Sequence, residues 1–171
     1  IYNIANDRFG YLLPYYAYAS ARTKDISDVE DILKKFPREF QRFDYHLAKA
    51  ILAGIRGDYE GSFTHLDLAR YRRPHTEFRP VFTEYQYAEI CELLYETTKD
   101  ERYKQRLLDW ARKAERYFPW YSWPYTVQAK YLDDSAERGR AIAIGYYLDK
   151  KSERLKSIPE SVIRSSVEMY K

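Results

Sequence analysis

The chain has 171 residues, with 29 Lys and Arg against 26 Asp and Glu, and a formal net charge of +3. This length suits one domain with a hydrophobic core, and the 45% apolar content excludes an intrinsically disordered chain. The weak charge by itself gives no support for nucleic-acid binding, and the single cysteine, Cys91, excludes an intramolecular disulfide. No apolar run approaches the roughly 18 residues of a membrane span.

The composition favours helices over strands. The chain has 19 Tyr, 8 Phe and 3 Trp but only 6 Gly and 7 Pro, and most of the Gly and Pro fall between periodic segments. An all-β fold needs frequent turn residues. We therefore predict one all-α domain with aromatic packing over residues 10–171, in which Cys91 is a small buried side chain.

Residues 1–9 show no helical period and are interpreted as a linker or the end of a preceding element. The sequence begins at Ile1 rather than Met and shows no signal peptide, so we expect a fragment of a longer protein. Its compartment stays open between the cytoplasm and a bacterial envelope compartment.

Residues 10–22 and 26–36 predict the first helical hairpin. Pro14 suits the first turn of a helix, because its missing N–H costs nothing there. Ser27 and Glu30 have the spacing of a capping box, and Pro37 ends the second helix. Apolar residues recur in that helix at helical spacing: Ile26, Val29, Leu33 and Phe36.

Residues 43–74 predict the clearest hairpin in the chain. Gly57 can take the left-handed conformation that ends a helix, and Asp58 can cap the next helix. Pro74 closes the unit. Each helix carries one apolar stripe, formed by Phe43, Leu47, Ala50, Ile51 and Ile55 in the first and by Tyr59, Phe63, Leu66 and Ala69 in the second.

The third hairpin is predicted from about residue 80 to residue 118. Its two helices are separated at residues 97–100, where Asp100 can cap the second of them. Pro119 ends the hairpin. A short aromatic connector, residues 118–125, leads to the next unit.

The fourth hairpin combines a brief helix, residues 123–132, with a second helix that we expect to run from Asp134 to about Lys156. Gly139 and Gly145 weaken that helix unless a neighbour needs close approach there. A capping-box pair, Ser157 and Glu160, predicts a closing helix after it.

The hairpin of residues 43–74 resembles a tetratricopeptide repeat. The likeness rests on small or turn residues at matching places: Ala50, the Gly57-Asp58-Tyr59 turn, Leu66, Ala69 and Pro74. The chain departs from the family at His46 and Ser62. The resemblance, with a repeat period of roughly 35 to 45 residues, implies an α-α superhelix of about four antiparallel hairpins plus a C-terminal capping helix.

Such arrays present a concave face lined by the first helix of each pair. The leading hypothesis is therefore a non-catalytic protein–protein interaction scaffold, monomeric or homodimeric, that binds a peptide or partner surface. By analogy with the repeat, the second and third pairs would line the face, and its acids would favour a basic partner. The aromatic connector adds two candidates, so the expected partner-binding residues are Asp44, Leu47, Ile51, Tyr85, Gln86, Glu89, Glu92, Trp120 and Trp123.

Two other functions stay open. A carbohydrate-handling or hydrolytic module would use the connector aromatics and paired carboxylates such as Glu89 and Glu92, and it predicts Trp120 or Trp123 exposed beside them. Nucleic-acid binding would use the arginines between the second and third pairs and the basic residues that follow: Arg70, Arg72, Arg73, Arg79, Lys104, Arg106, Arg112, Lys113 and Arg116.

No cofactor or metal is expected. The sequence contains neither a Gly-rich phosphate loop nor a dinucleotide fingerprint, and it lacks the zinc-protease and C-x-x-C patterns. His46 and His65 lie on the two helices of one hairpin and can approach each other. A metal site needs further ligands at fixed geometry, so we expect a polar pair at the hairpin interface or surface instead.

Overall fold

A computed structural model describes residues 13–23, 25–35, 43–71, 80–133 and 135–170. All of the regular structure within those ranges is helical, as the all-α prediction requires. Ten helices occur there: α1 (Leu13–Thr23), α2 (Ser27–Lys34), α3 (Phe43–Ile55), α4 (Tyr59–Tyr71), α5 (Pro80–Thr98), α6 (Glu101–Tyr117), α7 (Ser122–Tyr131), α8 (Ser135–Leu148), α9 (Glu153–Lys156) and α10 (Glu160–Met169).

The contacts between backbones divide the chain into two compact units. The first unit contains α1 to α4 together with residues 92–100, and the second contains residues 80–91 together with α6 to α10. Compact units of this kind can belong to one domain or to two, so the single domain expected from residue 10 onward stays a prediction.

In the first unit, α3 packs against α4, α1 and α2. The turn between α3 and α4 forms as the sequence predicts. Gly57 has a φ of +79°, which L side chains rarely adopt, and an Asp58 carboxylate oxygen accepts the Gly61 N–H at 2.9 Å. Small residues let the two helices approach closely, since Ala50 and Ser62 are completely buried and the Ser62 hydroxyl donates to the Ala50 carbonyl at 2.9 Å.

In the second unit, α7 is the central helix. It packs against α6, α8 and α9, and its side chains are buried from Trp123 to Ala129. Gly145 of α8 allows the close approach that its position suggested. A Cβ atom there would lie 3.2 Å from the Thr126 side chain, which would have to move by a few tenths of an ångström to make room.

The expected helix from Asp134 to about Lys156 is wrong in its second half. α8 ends at Leu148, residues 149–152 form a turn, and α9 follows as a single helical turn. The Asp149 carboxylate accepts the Lys151 N–H at 3.0 Å and thereby stabilises the turn. The reversal of the chain lets Leu155 and Ile158 pack into the core beside Ile142.

Both expected capping boxes are also wrong. Ser27 is already helical and its hydroxyl donates to Asp25, while Ile26 occupies the position before the helix without a side-chain cap. Before α10 that position belongs to Pro159, and the Ser157 hydroxyl donates to the Arg154 carbonyl instead. A Ser can cap only from the residue that directly precedes the helix. Of the further expected boundaries, Asp134, Pro37 and Pro74 lie outside the described residues.

Candidate functional site

The turn between α6 and α7 presents a group of accessible aromatic rings. We call Tyr117, Phe118, Trp120 and Tyr121 the aromatic patch. Trp120 is 65% exposed and Tyr117 64% exposed, and Tyr121 is also exposed, whereas Phe118 is half-buried. The Phe118 ring lies 6.4, 6.1 and 6.2 Å from the rings of Tyr117, Trp120 and Tyr121, respectively. One half-buried ring thus contacts three exposed ones.

Backbone hydrogen bonds fix the turn that carries the patch. The Phe118 N–H donates to the Ala114 carbonyl at 2.8 Å, which extends the last turn of α6. The Tyr121 N–H then donates to the Phe118 carbonyl at 3.1 Å, directly before α7 begins at Ser122. Because Pro119 cannot continue a helix, the chain reverses here and turns the rings outward.

Trp123 lies only three residues after Trp120 but has the opposite environment. It is 8% exposed, and its ring meets the ring of Tyr85 edge-on at 5.5 Å. Its indole nitrogen is buried without a hydrogen-bond partner among the described residues. Trp123 therefore packs α7 against the first part of α5, and of these two tryptophans Trp120 is the one with an exposed ring.

Tyr85 joins a small polar cluster beside Trp123. Its hydroxyl lies beside the carboxylate of Glu89 and the side chain of Arg154 on α9, and both act on its pKa. Burial and then the Glu89 carboxylate raise the pKa of Tyr85 to about 12, while Arg154 opposes them. The phenol therefore stays protonated at neutral pH, and its O–H is able to donate to the neighbouring carboxylate.

Several other expected partner contacts are not accessible. Leu47 and Ile51 are buried in the core of the first unit, and Glu92 is also buried. Asp44 at the start of α3 and Gln86 on α5 are half-buried. Burial raises the pKa of the Asp44 carboxyl to about 6, and its backbone hydrogen bond opposes the shift. Apolar periodicity marks the face that a helix buries, and in α3 that face forms the core.

The expected basic surface is only partly described. Residues 72–79 and the side chain of Arg70 lie outside the described part of the chain. The basic side chains of α6 are largely engaged, since Arg112 binds both carboxylate oxygens of Glu137 at 3.0 and 3.1 Å and Lys104 binds Asp133 at 2.9 Å. Lys113 lies over the Trp110 ring at 4.7 Å. These contacts compensate positive charge that a nucleic acid would otherwise meet.

The two histidines of the second hairpin do form a pair. The Nδ1 atoms of His46 and His65 lie 3.1 Å apart, and the two rings are stacked. Among the described residues, no group of three or more His, Cys, Asp or Glu side chains is arranged to hold a metal ion. Cys91 is completely buried, as predicted, and burial raises the pKa of its thiol to about 12.

Sequence reasoning missed Arg154 and Tyr117 as members of the site. Arg154 was placed inside a continuous helix, whereas the turn at Asp149 brings it to Tyr85. The helical spacing of the α6 segment leaves open whether Tyr117 or Phe118 ends its apolar stripe, and the structure exposes Tyr117, the last residue of that helix, and half-buries Phe118. The nearby Pro119, two residues after Tyr117, signals the end of the helix but does not by itself decide between the two rings.

Comparison with known proteins adds no assignment. No family model matches the chain, and neither the curated proteins nor the solved structures include a significant match. Among the described helices, none is long and apolar enough to cross a membrane.

Proposed function

We propose that this chain is a non-catalytic interaction scaffold that binds an apolar peptide segment of a partner protein at the aromatic patch. The observation that carries the proposal is the exposure of Tyr117, Trp120 and Tyr121 at one short turn, where Trp120 alone is 65% exposed. Clustered apolar surface is costly to leave in water, and such surface marks interaction sites in soluble proteins.

The patch has the properties of a binding hot spot. Trp and Tyr bury large areas with few rotatable bonds, so ordering them costs little entropy. The backbone bonds of Phe118 and Tyr121 fix the turn before a partner arrives. Such preorganisation lowers the entropic cost of association.

The engagement of the acidic side chains supports an apolar rather than a basic partner. Glu115, which precedes the patch, binds Arg140 at 2.7 Å and accepts from Gln128 at 2.8 Å. Glu89 lies beside the Tyr85 hydroxyl, and Glu92 is buried. Two of the three acids expected to attract a basic partner, Glu89 and Glu92, are thus next to a neutral hydroxyl or enclosed.

The kinship with tetratricopeptide repeats remains part of the proposal. The left-handed Gly57, the Asp58 cap and the close contact between Ser62 and Ala50 support it in one hairpin. Arrays of this kind serve mainly as binding platforms, although the inference from fold to function is an analogy.

A peptide library displayed on phage and selected on the immobilised chain tests the proposal. We expect enrichment of peptides with apolar or aromatic residues. Their affinity should fall at least about thirtyfold for Trp120→Ser, because a hot-spot tryptophan contributes about 2 kcal/mol or more. Tyr147→Ser is the matched control, since Tyr147 is an 84% exposed aromatic of α8 outside the patch.

Equal affinity of the selected peptides for wild type and Trp120→Ser would contradict the assignment of the patch. A glycan array probed in parallel addresses the carbohydrate alternative, because sugar rings also stack on exposed aromatics. Glycan binding that Trp120→Ser abolishes, without any selected peptide, would replace the peptide proposal by that alternative.

A further inference from the structure

Two imidazole rings face each other inside the α3–α4 hairpin. His46 of α3 is 6% exposed, and its Nδ1 lies 3.1 Å from the Nδ1 of half-buried His65 on α4. The ring centroids are 5.3 Å apart with planes inclined by 28°. The rings of Tyr45 and His46 meet edge-on with centroids 5.4 Å apart. The geometry is that of a hydrogen bond between the two Nδ1 atoms.

The number of protons on the pair decides whether this bond can exist. In the neutral pair, one Nδ1–H donates to the unprotonated Nδ1 of the other ring. A first added proton goes to the unprotonated Nε2 of the donor ring and leaves the bond between the two Nδ1 atoms in place. A second added proton must go to the accepting Nδ1, so two N–H groups and two positive charges would then face each other across 3.1 Å. The doubly protonated pair has to separate.

The surroundings of the pair oppose protonation. Burial, followed by the positive charge of Lys49 on α3, lowers the pKa of His65, and Asp58 at the start of α4 acts in the opposite direction. α1 and α2 also pack against α3. Three charged side chains of α1 and α2 contact groups other than the two histidines. Arg22 lies over the Tyr18 ring, Glu30 pairs with Arg56, and Lys34 pairs with Asp31.

We propose that the His46–His65 pair is an acid-sensitive latch, which holds α3 against α4 at neutral pH and releases them when both rings become protonated. The latch belongs to the scaffold of the first unit and is independent of the aromatic patch. Mild acidification, such as a chain meets in an acidic compartment or medium, would loosen this hairpin selectively.

The direction of the effect follows from proton linkage. An unfolded or opened hairpin has histidines with an ordinary pKa of about 6.5, while the closed hairpin holds the pKa of His65 lower. Below about pH 6.5 the open form therefore binds more protons, and the closed form loses stability as the pH falls. If the closed hairpin cannot bind one proton that the open hairpin binds, the equilibrium constant for opening rises by up to about thirtyfold between neutral pH and pH 5.

Asp44 at the start of α3 works against the latch. Its carboxyl pKa is raised to about 6, so the closed form takes up a proton that the open form takes up only near pH 4. Closing is thereby favoured as the pH falls through the range between these values. A measurement of the latch needs a chain in which Asp44 is replaced by Asn.

The test is native-state amide hydrogen exchange of the whole chain, corrected for intrinsic rates, between about pH 7 and pH 5. In the Asp44→Asn chain, the opening constants of α3 and α4 amides should rise at least about fivefold over this range. Amides of α7 and α8 provide the internal reference and should not follow. Adding His46→Asn and His65→Asn should abolish the rise, because two amides hydrogen-bond to each other without titrating.

Two further variants serve as controls for the assignment to His46 and His65. His65→Asn alone keeps one titrating ring, so its rise should be smaller than that of the parent. His75→Asn changes the remaining histidine, which lies outside the described residues, and should keep the full rise. A flat profile in the Asp44→Asn chain, or a rise that persists after both His46 and His65 are replaced, would overturn the latch.

Discussion

The α3–α4 hairpin of the first unit and the α6–α8 group of the second unit are held together by different means. Hydrogen bonds without a carboxylate join α3 to α4, namely the His46–His65 pair and the bond from the Ser62 hydroxyl to the Ala50 carbonyl. Ion pairs join α6 to α8, including those of Arg112 with Glu137 and of Arg140 with Glu115. Carboxylates ordinarily titrate near pH 4 and histidines near pH 6.5. Mild acid should therefore act on the first region and spare the second.

The two units also differ in what they expose. Among the described residues, Tyr16 is the large apolar side chain that the first unit exposes, whereas the others belong to the second unit: Tyr117, Trp120, Tyr121, Tyr147, Leu148, Val162, Met169 and Tyr170. The difference teaches that a binding surface need not lie where the repeat analogy places it, since two of the contacts expected from that analogy, Leu47 and Ile51, belong to an apolar stripe that forms core.

The largest expected effect separates the two neighbouring tryptophans. Trp123→Ala removes a buried ring that contacts Tyr85, and truncation of a buried aromatic costs about 3–5 kcal/mol of unfolding free energy. Trp120→Ala removes an exposed ring and should change stability by no more than about 0.5 kcal/mol. Urea unfolding of both variants measures the difference. Similar losses in the two variants would mean that the patch is structural.

The next effect concerns Ile51, which the repeat analogy places on a groove and the structure places in the core. Ile51→Ala should lower the unfolding free energy by about 2–5 kcal/mol, because it leaves a cavity between packed helices. Chemical denaturation checks the loss, and Ile55→Ala, at a half-buried position of the same helix, serves as the milder control. If the Ile51→Ala chain kept its stability but no longer bound the selected peptides, Ile51 would belong to a binding groove, as the repeat analogy places it.

The smallest effect concerns the ion pair of Arg112 and Glu137, whose side chains are 40% and 39% exposed. A double-mutant cycle with Arg112→Gln and Glu137→Gln should give a coupling of about 0.2–1 kcal/mol, because water screens pairs of this exposure. The coupling should decrease as salt is added. A coupling above about 2 kcal/mol, or one that salt leaves unchanged, would show that this bond contributes more to the second unit than surface pairs usually do.

Local signals predicted much of the helical scaffold. The Gly57-Asp58 turn was predictable because a left-handed glycine and an N-cap aspartate act within a few residues of each other. The break in the helix after Leu148 was not predictable, since residues 149–152 contain no proline or glycine. It is stabilised partly by Leu155 and Ile158, which pack into a core with residues of α7, α8 and α10. The two capping-box predictions were wrong because the pattern specifies only the spacing between two residues. It does not specify which residue directly precedes the helix.

The site was harder to predict than the scaffold. Trp120 and Trp123 belong to one aromatic run, and no property of the sequence separates them. Their environments differ because α7 begins at Ser122 and turns Trp123 toward Tyr85. The burial of Leu47 and Ile51 was equally hard to predict. A stripe of apolar residues has the same sequence pattern whether it contacts a partner protein or another helix of its own chain.

The indole N–H signals of the chain's three tryptophans test the central claim most directly. In a two-dimensional NMR titration with one selected peptide, the signal of Trp120 should shift and become protected from solvent, while the signal of buried Trp123 should stay in place. Trp110, which is half-buried against Tyr87, is a second reference. A peptide that shifts Trp123 and leaves Trp120 unchanged would contradict the account.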